Sequence, residues 1–129
     1  MDLSRFPRRR YTSFATPIEP LPRFSAALAA TCPGGVGPEV WVKRDDMLGL
    51  FPGGNKTRKL EFLVADALAQ GATTLVTTGA VQSNHARMTA AAACRAGLRC
   101  ELVLTATSDH PELAGNLLLD ALFDAKVRL

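Results

Sequence analysis

The second half of this chain alternates between strand-like and helix-like segments, and that alternation constrains the fold more than any other feature. Thr74 to Thr78 is a β-branched run of the buried-strand type. Ser83 then caps a stretch of helical spacing that runs to about Ala96, with an alanine-rich face at Ala90 to Ala93 that permits close packing. Gly97 ends that helix and Cys100 to Leu104 is the next strand. Pro111 to about Asp124 reads as a further helix, and Lys126 to Leu129 begins another strand. Upstream, Asn55 stands where it would cap a helix from about Lys56 to Gln70. Its apolar residues Leu60, Leu63, Val64, Ala67 and Leu68 keep helical spacing, and Gly71 closes it. Strand and helix in regular turn predict an α/β fold: a three-layer parallel sheet with right-handed crossovers and helices on both faces.

The first 40 residues are expected to be mostly irregular, because Pro7, Pro17, Pro20, Pro22, Pro33 and Pro38 interrupt any long element. A short helix from about Arg23 to Ala30 and a strand from Val40 to Lys43 are the exceptions. Residues 1–50 lack a core of their own, and the alternation stops partway, at Val127-Arg128-Leu129. Both features predict the front part of a larger protein.

With 47% hydrophobic residues in 129, the chain is globular. Its net charge of +3 comes largely from Arg5, Arg8, Arg9 and Arg10, a run that reads as a solvated arm. Aromatic residues are few and do not interleave with the basic ones, so a nucleic-acid partner is not expected. Cys32, Cys94 and Cys100 fit neither a disulfide framework nor a zinc site, and Cys94 and Cys100 are expected in the core. His85 and His110 show no metal-ligand pattern, so no metal is expected. No apolar run reaches membrane-spanning length and the first ten residues have no signal-peptide core, which predicts a soluble cytoplasmic protein with no membrane partner.

The chemistry concentrates in two places. Gly53-Gly54-Asn55-Lys56-Thr57-Arg58-Lys59-Leu60-Glu61-Phe62 puts a lysine in the first turn of a helix, directly after a loop pliant enough to let a ligand approach. The helix dipole disfavours a cation there, and a neutral amine is a nucleophile toward carbonyls. Lys56 is thus either an imine-forming residue, with Arg58 and Lys59 as cationic neighbours, or a solvated helix lysine. A phosphate-binding P-loop is a third reading of Gly49 to Thr57, but Asn55 intervenes between glycine and lysine and turns the lysine by roughly 100°. Pro52 also removes an N–H from that loop.

The second place is Gly79-Ala80-Val81-Gln82-Ser83-Asn84-His85, at the carboxyl end of a parallel strand, where open α/β sheets bind ligands. The helix amides that follow suit an anion such as a carboxylate. Ser83 is either an anion contact or a plain N-cap, and His85 either an acid–base group or a structural histidine.

Taken together, the Gly-Gly-Asn-Lys-x-Arg-Lys-Leu-Glu and Gln-Ser-Asn motifs resemble the pyridoxal-phosphate enzymes of the tryptophan-synthase-β-like fold (fold type II). Within that group the chain is most similar to the family of D-cysteine desulfhydrase, L-cysteate sulfo-lyase and 1-aminocyclopropane-1-carboxylate (ACC) deaminase. The likeness also runs through Arg5-Phe6-Pro7, Thr16-Pro17-Ile18-Glu19, Leu21-Pro22-Arg23, Lys43-Arg44-Asp45-Asp46 and Gly115-Asn116-Leu117-Leu118-Leu119-Asp120.

The resemblance implies that Lys56 holds pyridoxal 5'-phosphate as an imine and later moves the substrate α-proton. It implies that Asn84 hydrogen-bonds the cofactor's ring hydroxyl and that Lys59 lies near its phosphate. Gln82, Ser83, Asn84 and His85 would bind a small amino-acid substrate, with Ser83 also catalytic. The implied reaction is α,β-elimination, with D-cysteine giving pyruvate, ammonia and sulfide as the favoured case. L-Cysteate and the cyclopropane amino acid follow, and an inactive fragment of such an enzyme is the non-catalytic alternative. Met88 departs from the glutamine common in relatives. The phosphate loop, active-site tyrosine and pyridine-nitrogen partner of the family would fall beyond residue 129. Residues 1–53 would belong to the larger cofactor domain and residues 54–129 to the smaller α/β domain, in a protein that forms a homodimer when complete.

Overall fold

The computed structural model of the chain describes residues 2–108 and 110–129. Three parallel strands, β3 (Thr74–Ala80), β4 (Arg99–Thr105) and β5 (Lys126–Arg128), lie side by side in chain order. The register sets Leu75 opposite Cys100, Thr77 opposite Leu102, Gly79 opposite Leu104, and Leu102 opposite Val127. Right-handed crossovers between strands in chain order bring both connecting helices, α3 (Asn84–Ala96) and α4 (Gly115–Leu122), to one side of the sheet. There Ala86, Ala90 and Ala93 of α3 meet Cys100, Leu102 and Leu104 of β4 and Leu117 of α4. On the other side Val76 and Val103 are exposed.

Helix α2 (Lys56–Ala69) packs on the opposite flank of α3. A second cluster forms between them from Leu60, Val64, Met88 and Ala92, joined by Tyr11 and Leu50. Helix α3 therefore stands between two cores, and its buried run of Ala90 to Ala93 is what lets both neighbours come close.

The expected punctuation of these helices holds where glycine and serine carry it. Ser83 Oγ accepts from Ala86 N at 3.2 Å, and Gly97 takes a left-handed φ of 71°. Gly71, at φ 72°, closes α2 with two bonds, Gly71 N to Leu68 O at 3.0 Å and Ala72 N to Ala67 O at 2.9 Å.

Four expectations change. Asn55 does not cap α2: its backbone is already helical (φ −63°, ψ −19°), whereas a capping side chain needs an extended one. Helix α4 begins at Gly115 rather than near Pro111, because Ala114 is extended and Gly115 is left-handed at φ 57°. Ile18–Pro20 forms a strand, β1, antiparallel to β2 (Trp41–Lys43); proline is tolerated in such an edge pair. Cys94 is exposed on α3, and only Cys100 of that pair is buried. Helix α1 (Pro22–Ala29) contributes no buried residue.

Glu61 fastens the N-terminal segment to α2. It is 2% exposed, and its carboxylate accepts from Tyr11 N at 2.9 Å, Thr12 N at 3.4 Å and the Arg8 guanidinium. Its main-chain oxygen takes Arg9 N at 2.8 Å. Buried charge is tolerated when paired and hydrogen-bonded in this way. No described helix is long and apolar enough to cross a membrane.

Candidate active site

Two loops converge on the first turns of α2 and α3. The first delivers Lys56. Gly53 and Gly54 adopt φ of 99° and 130°, conformations that side chains strongly disfavour. A Cβ on Gly53 would lie 1.9 Å from the Asp46 carbonyl oxygen, so the chain can pass there only as glycine. Gly54 N donates to Asp45 O at 3.0 Å, while the Asp45 carboxylate pairs with Arg58 at 2.6 and 3.0 Å. The Arg58 hydrogen bonds hold the Asp45 carboxyl below its ordinary pKa. Asp45 thus ties the glycine loop to the first turn of α2, in which Lys56 is the first residue.

The second loop, Val81 to Ser83, leaves β3 and enters α3. Val81 N donates to Thr105 O at 3.1 Å and Ser83 N to Ala80 O at 2.8 Å. The turn is tight: a Cβ on Gly79 would sit 2.7 Å from Ser83 Oγ. Ser83 Oγ serves Ala86 N, and Ser83 O serves Arg87 N. The amides of Asn84 and His85 have no acceptor within the helix and lie at its positive end.

Helix α3 joins the two loops. Arg87, 3% exposed, donates Nη1 to Phe51 O at 3.0 Å and Nη2 to Gly53 O at 3.2 Å. Met88 is fully buried, with Sδ 3.2 Å from where a Gly54 Cβ would be. Met88 is therefore packed under the lysine loop. His85 Nε2 lies 3.1 Å from Thr77 Oγ1, and its Nδ1 is buried without a partner. Burial, then the charges of Lys59 and Lys56, push its pKa below the ordinary histidine value, so the ring is neutral at neutral pH. The charges of both lysines oppose protonation of that ring.

Gln82 and Asn84 are tied to α4. Gln82 Oε1 accepts from Asn116 N at 2.8 Å and Gln82 Nε2 donates to Ala114 O at 3.0 Å. Asn116 Nδ2 donates to Gln82 O at 2.7 Å and to Asn84 Oδ1 at 2.9 Å. A Cβ on Gly115 would lie 2.5 Å from Gln82 Oε1, which explains the glycine at that left-handed position. Both ends of the Gln82 side chain are spent on this loop. Sequence reading names neither Arg87 nor Asn116 as a site residue; the signal for Asn116 is its place in the Gly115-to-Asp120 motif.

A protein-family model described as pyridoxal-phosphate dependent enzyme matches residues 10–129. Among solved structures, an ACC deaminase homologue aligns over 98% of this chain with 44% sequence identity and a TM-score of 0.86; the chain spans 35% of that protein's length. A pyridoxal 5'-phosphate-dependent aspartate racemase aligns over 89% of this chain and 32% of its own, with TM-score 0.62. At 22% identity that second likeness concerns the fold alone.

Proposed function

The chain belongs to the pyridoxal-phosphate dependent enzyme family, and from that membership we propose that it supplies the lysine side of an amino-acid lyase site, acting by α,β-elimination with D-cysteine as substrate. The observation that carries the reading is the Arg87 bridge: α3 holds the carbonyls of Phe51 and Gly53, so the loop that ends in Lys56 is fixed to the helix that begins at Asn84. An amine and an anion-binding helix start are thereby held in one unit.

The donor set fits pyridoxal 5'-phosphate. Lys56 offers a primary amine for its aldehyde carbon, Asn84 an amide for its ring hydroxyl, and Lys59 a cation for its phosphate. Gly54 lets the loop before Lys56 lie close on buried Met88, since a Cβ there would sit 3.2 Å from Met88 Sδ. When bound, the cofactor supplies an electron sink for the electron pair at the substrate α-carbon. Lys56 Nζ would hold the cofactor and would be the base that takes the substrate α-proton. Ser83 Oγ–H and the Asn84 and His85 amides bind the substrate carboxylate. The neutral His85 ring, with Nε2 3.1 Å from Thr77 Oγ1, stands behind that helix start without adding a further positive charge. Gln82 contributes by holding the loop at Ala114 to Asn116.

Loss of the β-thiolate, with water consumed, turns D-cysteine into pyruvate, ammonia and hydrogen sulfide. A second reading, ring opening of the cyclopropane amino acid to 2-oxobutanoate and ammonia, is favoured by the 44% identity to the ACC deaminase homologue. Family membership alone supports a division near residue 53, a homodimer and a cytoplasmic setting.

The test uses the full-length protein loaded with cofactor, reduced with borohydride and mapped by mass spectrometry. One dominant adduct at Lys56, absent in Lys56→Ala, supports the reading; an adduct that persists in Lys56→Ala sinks it. Pyruvate release from D-cysteine against 2-oxobutanoate release from the cyclopropane amino acid then decides the substrate.

A further inference from the structure

The hydrogen bonds around Asn116 fix the orientation of a neighbouring amide whose oxygen and nitrogen ends are otherwise interchangeable. Gln82 O is a main-chain carbonyl and can only accept. The Asn116 side-chain atom 2.7 Å from it is therefore the nitrogen. The other hydrogen of that nitrogen points at Asn84, 2.9 Å away, so Asn84 must present its oxygen to Asn116. The Asn84 Nδ2 group is left facing the other way, and Asn84 is exposed at the mouth of α3.

Gln82 is pinned by the same logic. Asn116 N can only donate, so the Gln82 atom at 2.8 Å is Oε1; Ala114 O can only accept, so the atom at 3.0 Å is Nε2. No member of the network can flip alone without setting oxygen against oxygen or nitrogen against nitrogen.

We infer that Asn116 is a positioning residue: from α4 it locks the Asn84 amide with its N–H group turned outward, ready to donate to an oxygen of the cofactor. The inference rests on the proposed role of Asn84 and adds what sets its polarity. An amide free to turn would spend part of its time presenting its oxygen to the cofactor's oxygen, where it repels rather than binds. The cofactor oxygen it meets is a ring hydroxyl or its anion, so the locked donor gives a charge-assisted bond in the second case.

The test is a double-mutant cycle on the full-length protein, read as the cofactor dissociation constant by absorbance and fluorescence titration. Asn84→Ala and Asn116→Asp are each expected to weaken cofactor binding by about tenfold or more, the equivalent of one charge-assisted hydrogen bond. Asn116→Asp presents oxygen to both Gln82 O and Asn84 Oδ1, so it should weaken binding more than Asn116→Ala. In an Asn84→Ala background the Asn116 substitutions should have no further effect. Additive losses, or an Asn116→Asp protein that binds cofactor normally, overturn the inference. Normal binding by Asn84→Ala overturns the role of Asn84 itself, and the inference falls with it. Wild-type protein gives a second readout that does not depend on variants folding. The Asn84 side-chain amide signals in NMR should shift on cofactor addition, with those of Asn116 already protected beforehand. Asn84 signals unmoved by cofactor, or Asn116 signals unprotected, contradict it.

Discussion

Arg87 and Gly53 are 34 residues apart in sequence, yet Arg87 Nη2 donates to the Gly53 carbonyl at 3.2 Å while Nη1 reaches Phe51 O at 3.0 Å. One planar guanidinium thereby spans two carbonyls of the loop that precedes Lys56. The guanidinium is buried, and burial lowers its pKa, partly offset by Asp120.

Replacing Arg87 by methionine should loosen that loop while leaving the sheet intact. Two hydrogen bonds from a charged donor are lost, but so is a buried charge, and a net loss of about 2 kcal/mol is expected. Urea unfolding measures it. Hydrogen exchange at Gly54 and Asn55 should accelerate more than exchange in β4. Lysine should not rescue, since its single ammonium cannot reproduce the fork.

Gly53 and Gly71 form a matched contrast. Both have positive φ, but a Cβ on Gly53 would strike Asp46 O at 1.9 Å, whereas one on Gly71 meets nothing within 4 Å. Gly71→Ala should cost only the conformational penalty, about 1 kcal/mol. Gly53→Ala should cost clearly more and should also reduce borohydride-trapped cofactor at Lys56. Equal shifts in thermal midpoint would contradict the steric account.

Ser83 caps α3, and the proposed function gives it a second duty as a contact of the substrate carboxylate. As a cap it accepts from Ala86 N at 3.2 Å, and Ser83→Ala should cost about 1 kcal/mol of stability. Ser83→Asn should restore most of that stability yet not the affinity for the substrate carboxylate. If KM recovers together with the thermal midpoint, the hydroxyl acts only as a cap.

Asp120 should leave a signature in the pH dependence of stability. Both its carboxylate oxygens are buried without hydrogen-bond partners, and burial raises its pKa from 3.8 to about 6 despite the charge of Arg87. The folded chain therefore holds this proton over a range where the unfolded chain has released it. The stabilising contribution is full below about pH 4 and is lost as pH rises through about 6. Asn is a neutral stand-in, so the stability of Asp120→Asn relative to wild type should climb across that window, by at most about 3 kcal/mol. A flat difference between the two curves would mean that Asp120 is not desolvated in solution.

Much of the α/β half was legible in the sequence because its boundaries are set locally. Ser83, Gly71 and Gly97 act on neighbours within one turn, so their chemistry is written beside them. Asn55 misleads for the opposite reason: the loop before it is shaped by Arg87 and Asp45, which leave it helical. The start of α4 depends on Gln82, more than 30 residues away in the chain, so proline and spacing near Pro111 could not reveal it. Lys56, Ser83 and Asn84 were singled out by their places in two local motifs, and the roles proposed for them come from the resemblance that those motifs carry. The roles of Arg87 and Asn116 arise only when α3, α4 and the glycine loop meet, and no local pattern encodes that meeting.

The position of α3 between two cores has a consequence for how this chain can change. A helix with one buried face absorbs a larger side chain by rolling or shifting outward. Helix α3 has no such freedom, because Ala90 and Ala93 face one cluster while Met88 and Ala92 face the other. Room made on one side is taken from the other. A library randomised along α3 should therefore return little but alanine at Ala86 and at Ala90 to Ala93, whereas α1, which buries nothing, should accept wide variation. Diversification of this chain is confined to its periphery, and the helix that carries Asn84 and Arg87 is its least evolvable segment.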